Sequence, residues 1–298
     1  MLLSVLFGIV LALVTTLPAG WKWQLGLART ATAVTVMGLL SGSLVVALDG
    51  VVELSRVVAI AVVWALTMTL ALALLLYRFF RDPERLPPDG AGLIVSPAEG
   101  EVIYVQEAPG GMLPVSSKHG RAYALEELTR TSLRRRDAIV IGIAMSFLDV
   151  HVNRAPIAGR IALHRHFKGS FGSLKKPGMV FENERATTLI EQGELQVAVV
   201  QIASRLVRQI SSFVTEGARV SLGQRIGVIR FGSQVDLVLP MQSGLHVSVR
   251  PGEHVRAGQS VIAIQELEDS GLPTSVPEHP NEEGSSSSGS RRDRPTTR

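Results

Sequence analysis

Three long apolar runs at the start of the chain limit its architecture more than any other feature. They are Leu2–Leu17, Ala31–Leu48 and Val57–Tyr77. The third run carries no charge, and an α-helix that rises about 1.5 Å per residue needs roughly 20 such residues to cross the hydrocarbon core. Because lipid offers no hydrogen-bond partners to the backbone, we expect these runs to be helical. The sequence therefore predicts a helical membrane anchor over residues 1–80.

Charged residues divide the chain into two parts. The 298 residues include 30 Lys and Arg and 26 Asp and Glu, yet only six of these charged residues lie within the first 80. The rest of the chain has the charge density of a water-soluble domain. We therefore expect a membrane anchor followed by a separate folded domain.

The loops between the apolar runs predict an orientation. Lys22 and Arg29 lie between the first two runs and Arg78 follows the third, whereas Asp49 and Glu53 lie between the second and third. The positive-inside rule then places the folded domain on the cytoplasmic side of the cell (inner) membrane. The first run also resembles a signal peptide, although no Lys or Arg precedes it, and the runs could instead lie flat in one leaflet.

From about Pro87 the chain alternates short β-rich runs with Gly and Pro. This texture predicts a mainly β domain over residues 81–266, a β-sandwich or barrel-sandwich with few short helices. Helices are predicted at Ala124–Arg134 and Arg205–Ser212. Residues 267–298 are predicted to form a disordered polar tail. The predicted strands are Leu93–Val95, Glu101–Gln106, Ala138–Met145, Gly159–His164, Leu189–Ile190, Leu195–Ala203, Arg225–Phe231, Val235–Leu239, Leu245–Val249 and Ser260–Gln265.

An internal repeat supports this fold class. Gly217–Ile229 and Gly252–Ile264 share the pattern Gly-x-x-Val-x-x-Gly-Gln, which predicts a turn, a short strand, a Gly turn and a second strand in each copy. Pro97–Gly100 and Pro156–Gly159 each precede an alternating strand. Such half-motifs are similar to those of biotinyl and lipoyl carrier domains. An uncleaved membrane-tethered adaptor is therefore an alternative function, but a carrier needs a modifiable Lys and none follows Lys176.

Several classes of function are excluded or disfavoured by residue content. The chain has no cysteine, which excludes disulfides, a thiolate nucleophile and Cys-ligated metals. No basic stripe with interleaved aromatic residues is present, so nucleic acid is not an expected partner. Apart from His151, the histidines show no spacing typical of metal ligands, and we predict no metal site. These histidines are His119, His164, His166, His246, His254 and His279.

The dipeptide Gly232-Ser233 permits an unusual reaction of the backbone. A serine oxygen can attack the carbonyl of the preceding residue to give an ester, and Gly at that position removes the crowding of a Cβ. Elimination from the ester would leave dehydroalanine and then a pyruvoyl group at a new amino terminus. A turn or a β-bulge is the alternative interpretation of the same two residues.

Two further positions carry groups suited to proton transfer. In a strand, Asp149 and His151 would share a face, so that the carboxylate could orient the imidazole and raise its basicity. A surface ion pair is the alternative. Glu99 lies in a Pro/Gly turn at the start of a strand, where a carboxylate can be held rigidly, or where it simply marks a polar hairpin tip.

Five segments in order together carry a resemblance to a known family. They are Phe79–Arg85, Ser96–Gly100, Phe147–Pro156, Phe181–Arg185 and Phe231–Pro240. From about Phe79 to Gln265 the chain resembles phosphatidylserine decarboxylase of the short, membrane-bound prokaryotic type.

That resemblance implies a self-processing proenzyme. It would cut itself without hydrolysis between Gly232 and Ser233, giving a β chain of residues 1–232 and an α chain of residues 233–298 that remain a heterodimer. Ser233 would become a pyruvoyl group, the only cofactor, with neither metal nor pyridoxal phosphate. His151 would be the base that activates Ser233, oriented by Asp149 and Glu99. The family usually has Asp where this chain has Glu99.

The resemblance also implies the reaction and its partners. Phosphatidylserine would condense with the pyruvoyl ketone as a Schiff base, lose CO2 and become phosphatidylethanolamine, with His151 returning the proton. The enzyme would work next to membrane lipids, with an ether-linked serine phospholipid as the alternative substrate. The candidate partners of the lipid phosphate are Arg154, Lys168, Lys175 and Lys176.

Overall fold

A helical region precedes a mainly β domain, as the sequence predicts. The computed structural model describes residues 1–23, 25–113, 123–170, 172, 179–203, 209–230 and 233–266. The helices in these ranges are α1 Leu2–Lys22, α2 Leu27–Asp49, α3 Arg56–Phe80, α4 Leu125–Thr129 and α5 Met179–Glu182, with one 3-10 turn at Pro109–Gly111.

The strands of the described ranges are short and numerous. They are β1 Leu93–Val95, β2 Gly100–Ala108, β3 Met112–Leu113, β4 Tyr123–Ala124, β5 Ala138–Met145, β6 Val152–Arg154, β7 Gly159–Phe167, β8 Arg185–Gln192, β9 Leu195–Ala203, β10 Ile210–Ser212, β11 Arg219–Val220, β12 Arg225–Ile229, β13 Ser233–Pro240, β14 Leu245–Val247, β15 His254–Val255 and β16 Val261–Gln265.

The three apolar runs form three helices that pack as a bundle. Each helix is long and apolar enough to cross a membrane, which is consistent with membrane association. Small residues let the helices approach closely: a methyl group on Gly42 would lie 2.3 Å from Val5, and one on Gly38 would lie 2.7 Å from Ile9. These contacts make α1 antiparallel to α2. Gly8 near the start of α1 packs against Val63 near the start of α3, so α1 and α3 run in the same direction.

The β domain is built around a curled eight-stranded sheet. Its strand order is β11-β7-β8-β9-β13-β5-β2-β15, and every neighbouring pair is antiparallel. Apolar side chains alternate along these strands and form the core, because successive residues of a strand point to opposite faces. Strand β13 lies in the interior of the sheet, paired with β5 on one side and with β9 on the other.

The sequence repeat occupies equivalent places at the two ends of this sheet. In the first copy Val220 of β11 pairs with Gly159, and in the second copy Val255 of β15 pairs with Gly100. Each copy then turns and continues into a longer strand, β12 or β16. The predicted turn–strand–turn–strand structure of the half-motifs is therefore confirmed.

Some elements differ from the sequence-based predictions. The helix predicted at Ala124–Arg134 is shorter, because α4 ends where Arg130 takes a left-handed conformation with φ of 54°. The helix predicted at Arg205–Ser212 is wrong for its last residues, which form β10 and pair with β12; residues 204–208 lie outside the described part of the chain. The predicted tail, residues 267–298, also lies outside it. Strands β3, β4, β6 and β10 were not predicted.

Candidate active site

The predicted cleavage position lies at the beginning of an interior strand. Strand β13 begins at Ser233, whose Cα lies opposite Met145 of β5 and Ala203 of β9. Gly232 lies outside the described residues. Because β13 is hydrogen-bonded on both sides, the backbone at Ser233 is held by two neighbours. A cut before Ser233 would leave the new amino terminus in that position.

His151 lies beside the end of β12, the strand that precedes β13 in the chain. Its backbone carbonyl accepts a hydrogen bond of 3.1 Å from the N–H of Ile229, the last residue of β12. The side chain is only 2% exposed, and its Nδ1 lies 2.8 Å from the backbone carbonyl oxygen of Asp149. A carbonyl oxygen only accepts, so Nδ1 carries the proton of the neutral ring and Nε2 carries the lone pair. Nε2 is buried and has no hydrogen-bond partner within the described ranges.

The surroundings of His151 favour its neutral form. Burial lowers the pKa of the imidazole from its usual value, because a charged ring would lose its hydration. The carbonyl of Asp149 and the negative charges of Asp149 and Glu99 oppose this shift. The imidazole is therefore neutral at pH 7, with Nε2 free to accept a proton.

Asp149 contacts His151 in a different way from the one predicted. It lies in the turn between β5 and β6 and not in a strand, so the two side chains do not share a strand face. Its Oδ2 accepts a 2.7 Å hydrogen bond from the N–H of Ser146, because an Asp side chain readily caps its own turn. Its Oδ1 lies 3.0 Å from Nε2 of His254. Asp149 thus orients the imidazole through its backbone carbonyl. The contact of Asp149 with His254 was not predicted, because the two residues are far apart in the chain.

Glu99 is buried in a cluster of positive charge. Its Oε1 lies 3.3 Å from Nη2 of Arg81 and its Oε2 pairs with Arg85. Oε1 also accepts a 3.3 Å hydrogen bond from the N–H of Val150. Glu99 therefore acts on His151 by its charge and by fixing the neighbouring peptide, whereas the hydrogen bond to the ring comes from Asp149.

A buried amide on β9, next to β13, is paired with a second buried amide on β6. Neither residue was predicted as a site residue. Gln201 lies opposite Val235, two residues after Ser233. Its Nε2 donates a 2.7 Å hydrogen bond to Oδ1 of Asn153, and both side chains are fully buried. Oε1 of Gln201 has no partner among the residues described. A buried acceptor without a partner is costly, and it offers a place for a donor that enters the site.

A buried carboxylate lies further along β13. Oδ1 of Asp236 accepts hydrogen bonds of 2.8 Å from Tyr104 and 2.7 Å from Gln234. Burial raises the pKa of Asp236 to about 6, although these two donors and the charge of Arg185 oppose the shift. Burial and the neighbouring carboxylate raise the pKa of Tyr104 well above its usual value. This cluster holds β13 to β2 and is a source of pH dependence.

Asn183 and Arg185 form a structural clamp next to β9. Nδ2 of Asn183 donates a 2.9 Å hydrogen bond to the carbonyl of Ala203, the residue opposite Ser233. Burial lowers the pKa of Arg185 to about 10, yet its guanidinium remains charged and donates only to carbonyls. Those carbonyls belong to Glu127, Leu128, Phe181 and Asn183. The segment Phe181–Arg185 thus fixes the end of β9 and ties β8 to α4.

Two of the four predicted phosphate contacts, Arg154 and Lys168, lie within the described residues. Arg154 is 3% exposed and donates a 3.0 Å hydrogen bond to the carbonyl of Gly223, with Asp82 3.5 Å away. Both Nη atoms of Arg154 thus donate to carbonyls of the protein, those of Gly223 and Pro83, while its buried Nε has no partner within the described ranges. Lys168 is exposed at the end of β7. Lys175 and Lys176 lie outside the described residues.

Within the described ranges, no three His, Asp or Glu side chains are arranged to hold a metal ion. The histidines there pair with single polar groups: His164 with Thr188, His166 with Glu184, His246 with Glu266 and His254 with Asp149. His119 and His279 lie outside those ranges.

The residues present fit a reactive carbonyl formed at position 233. Two buried polar atoms have no described partner: Nε2 of His151, beside the end of β12, and Oε1 of Gln201, on the strand next to β13. One can take or return a proton, and the other can accept a hydrogen bond. The strand that carries Ser233 is itself held by two neighbours.

Comparison with known proteins gives a consistent match. The family model of phosphatidylserine decarboxylase matches residues 72–263. A phosphatidylserine decarboxylase proenzyme of Symbiobacterium thermophilum is 40% identical over 69% of this chain and 86% of its own. A phosphatidylserine decarboxylase proenzyme of Erythrobacter litoralis is 37% identical over 82% of this chain and 90% of its own. A protein of Methanocaldococcus jannaschii named "Putative archaetidylserine decarboxylase proenzyme" is 39% identical over 64% of this chain and 90% of its own.

Proposed function

Because the chain belongs to the phosphatidylserine decarboxylase family, we propose that it is a proenzyme that cuts itself between Gly232 and Ser233 and then converts phosphatidylserine to phosphatidylethanolamine and CO2. The family supports decarboxylation of a serine phospholipid. One observation carries the finer proposal: a buried, neutral imidazole, that of His151, keeps Nε2 without a described partner beside Ile229, the last residue of β12.

Maturation uses groups of the chain itself. Nε2 of His151 accepts the hydroxyl proton of Ser233 as the oxygen attacks the carbonyl of Gly232, so that the ester bond replaces the peptide bond and frees the amine. A base then removes the α proton of Ser233, and the ester leaves as the carboxylate of Gly232. The resulting dehydroalanine tautomerises to an imine, and water releases ammonia to leave the ketone.

In the mature enzyme the pyruvoyl group supplies an electron sink for the electrons released with CO2. His151 is suited to hold the proton that must return to the substrate, since the lone pair of its Nε2 has no competing donor in the described structure. Asp149 keeps the other ring nitrogen protonated through its carbonyl. The buried surroundings exclude water, which favours loss of the charged carboxylate.

The sheet supports a stable pair of chains after the cut. Residues 1–232 would form the β chain and residues 233–298 the α chain. Strand β13 of the α chain is paired between β5 and β9 of the β chain, and β16 pairs with β1. Because these hydrogen bonds join different chains after cleavage, the proposal includes a heterodimer of α and β chains beside membrane lipids, with the catalytic domain on the cytoplasmic side.

An ether-linked serine phospholipid is the second candidate substrate. Two relatives from methanogenic archaea, 39% and 38% identical to this chain, carry archaetidylserine in their names. The serine headgroup is the same in both lipid classes, so the residues described above do not distinguish them. An assay with defined diacyl and dialkyl ether lipids measures the preference.

The test of the proposal is the change of Ser233 to Ala. The attacking oxygen and the future ketone come from the same residue, so Ser233→Ala should remain a single chain on a denaturing gel and release no CO2 from serine phospholipid. Ser243→Ala is the matched control, since Ser243 lies in the turn after β13. A Ser233→Ala protein that is cut and active would overturn the proposal.

A further inference from the structure

The segment Phe79–Arg85, here called the exit segment, leads from the membrane helix α3 into the β domain. Helix α3 ends at Phe80, and Arg81 takes an extended conformation with φ of −63° and ψ of 140°. Composition marks the helices before it as an anchor. The contacts of the exit segment show that it does more than connect the two parts.

Aromatic rings from the anchor end cover the candidate base. Phe79 is 2% exposed, and its ring centroid lies 4.3 Å from that of His151 and 5.1 Å from that of Phe147. Trp23, just after α1, stacks on Phe147 at 5.5 Å. Two helices, α1 and α3, therefore contribute rings from the same end of the bundle to the apolar layer over the imidazole.

Charges fix the exit segment to the β domain next to these rings. Arg81 and Arg85 pair with Glu99, and the side chains of Arg85 and Glu99 are each only 7% exposed. Asp82 lies 2.6 Å from Arg225 and 3.5 Å from Arg154. A buried pair is costly to break, because one charge would remain without a partner. The exit segment is thus held in one place on both sides.

We infer that the exit segment forms one wall of the active site, and that Phe79 is a positioning residue that keeps water from His151. The inference rests on the proposed role of His151 as the base. It means that the anchor is part of the catalytic unit and presents the base directly beneath the end of a membrane helix. A lipid headgroup would then reach the site without leaving the membrane surface.

The charges around the imidazole of His151 determine the effect of removing the phenyl ring of Phe79. Asp149 and Glu99 are the carboxylates near it, Arg81 and Arg85 neutralise Glu99, and His254 lies beside Asp149. Water admitted in place of Phe79 would hydrate the protonated ring and favour it, since burial is the main cause that opposes protonation. The limb of the activity profile that His151 sets would then move to higher pH.

The test compares Phe79→Ala and Phe79→Leu with Tyr77→Leu in the full chain. Tyr77 lies two residues earlier on α3 and is exposed. Decarboxylation is measured on defined phosphatidylserine micelles from pH 5 to pH 8, after the cleaved fraction has been determined on a gel. We expect the ratio of rates at pH 5 and pH 8 to fall by about threefold in Phe79→Ala, because the pKa of His151 rises, and to stay unchanged in Tyr77→Leu.

The result that overturns the inference is a cleaved Phe79→Ala protein with the wild-type pH profile, or an equal shift in Tyr77→Leu. If Phe79→Ala is not cleaved, Phe79→Leu decides: a shifted profile supports the inference, and the wild-type profile overturns it. His151→Gln separates this result from the proposed function. A His151→Gln protein that is cut and active would contradict the proposed role of His151 as the base. An inactive His151→Gln protein, together with unshifted pH profiles in the Phe79 variants, would contradict only the inference about Phe79.

Discussion

At the scale of single residues, the tautomer of one ring decides what the site can do. The carbonyl of Asp149 keeps the proton of His151 on Nδ1, and burial keeps the ring neutral. The lone pair on Nε2 is therefore present before any substrate arrives, and no reorganisation is needed to expose it. The carboxylate of Asp149, by contrast, is used by Ser146 and His254.

The first prediction separates the carbonyl of Asp149 from its carboxylate. Asp149→Asn keeps the carbonyl and an oxygen for the N–H of Ser146, so we expect self-cleavage to persist. Removal of a negative charge near His151 lowers the pKa of the ring further, because that charge raises it in the wild type. The acid side of the cleavage-rate profile should therefore move to lower pH.

The measurement is the rate of cleavage of newly made chain between pH 5 and pH 8. Asp137→Asn is the matched control, since Asp137 is an exposed carboxylate that also bonds a backbone N–H, that of Gly110. Complete loss of cleavage in a folded Asp149→Asn protein would show that the carboxylate itself orients the imidazole.

The second prediction concerns the buried carboxylate of Asp236. Its pKa is raised to about 6 from 3.8, so the folded state binds more protons than the unfolded state between these values. The unfolding free energy of the wild type therefore falls as pH rises through this window. Asp236→Asn removes the charge, and its stability relative to the wild type should improve by about 2 kcal/mol between pH 4 and pH 7. Thermal unfolding in detergent at both pH values checks this, and an equal difference at both would contradict it.

At the scale of elements, the turns Pro97–Gly100 and Pro156–Gly159 need their glycine for the same reason. A methyl group on Gly100 would lie 2.2 Å from the carbonyl oxygen of Ala144, and one on Gly159 would lie 2.3 Å from that of Glu191. In each case the oxygen belongs to a neighbouring backbone that cannot move without loss of strand pairing. The repeated Pro-x-x-Gly punctuation is thus explained by close backbone approach at both ends of the sheet.

The third prediction uses one of these glycines. Gly159→Ala should lower the unfolding free energy by on the order of 2 kcal/mol or more, because the new methyl group meets the backbone of β8. Gly193→Asn is the control: Gly193 has a φ of 58°, which Asn tolerates, and has no atom within 4 Å of an added Cβ. Thermal unfolding of both proteins is the measurement. A loss that is no larger in Gly159→Ala than in Gly193→Asn would contradict the assigned cause.

The sequence predicts those elements that depend on local pattern. The anchor helices follow from lipid, which accepts only long charge-free helices, and the strands follow from alternation between Gly and Pro turns. The position of Asp149 in a turn was not predictable, because the same residues also suit a strand. The contact of Phe79 with His151 joins residues far apart in the chain, so it depends on the tertiary fold. The order of the motifs indicates the family, but it does not indicate which contacts each residue makes in the fold.

At the scale of the whole molecule, the helical bundle has two different ends. Because α1 and α3 run in the same direction, Lys22, Arg29 and Arg78 lie at the end that adjoins the β domain, and Asp49, Glu53 and Arg56 lie at the other. The positive-inside rule favours the first end in the cytoplasm. The site beneath α3 would then face the inner leaflet.

The fourth prediction tests that orientation. The chain has no cysteine, so a single introduced thiol is the only one that reacts with a maleimide. In cells whose outer membrane has been opened and whose inner membrane is intact, a membrane-impermeant maleimide should label Val51→Cys, in the loop between α2 and α3. It should label Glu253→Cys, in the β domain, only after that membrane is opened. The reverse pattern would place the catalytic domain on the other side.

The most direct test of the account is the intact mass of the small chain from purified protein. Cleavage before Ser233 with conversion of that residue predicts a 66-residue fragment, residues 233–298, whose mass shows a pyruvoyl group in place of the amino-terminal serine. The partner fragment should end with the carboxylate of Gly232. An uncut chain with unmodified Ser233 that still releases CO2 from serine phospholipid would contradict the central claim.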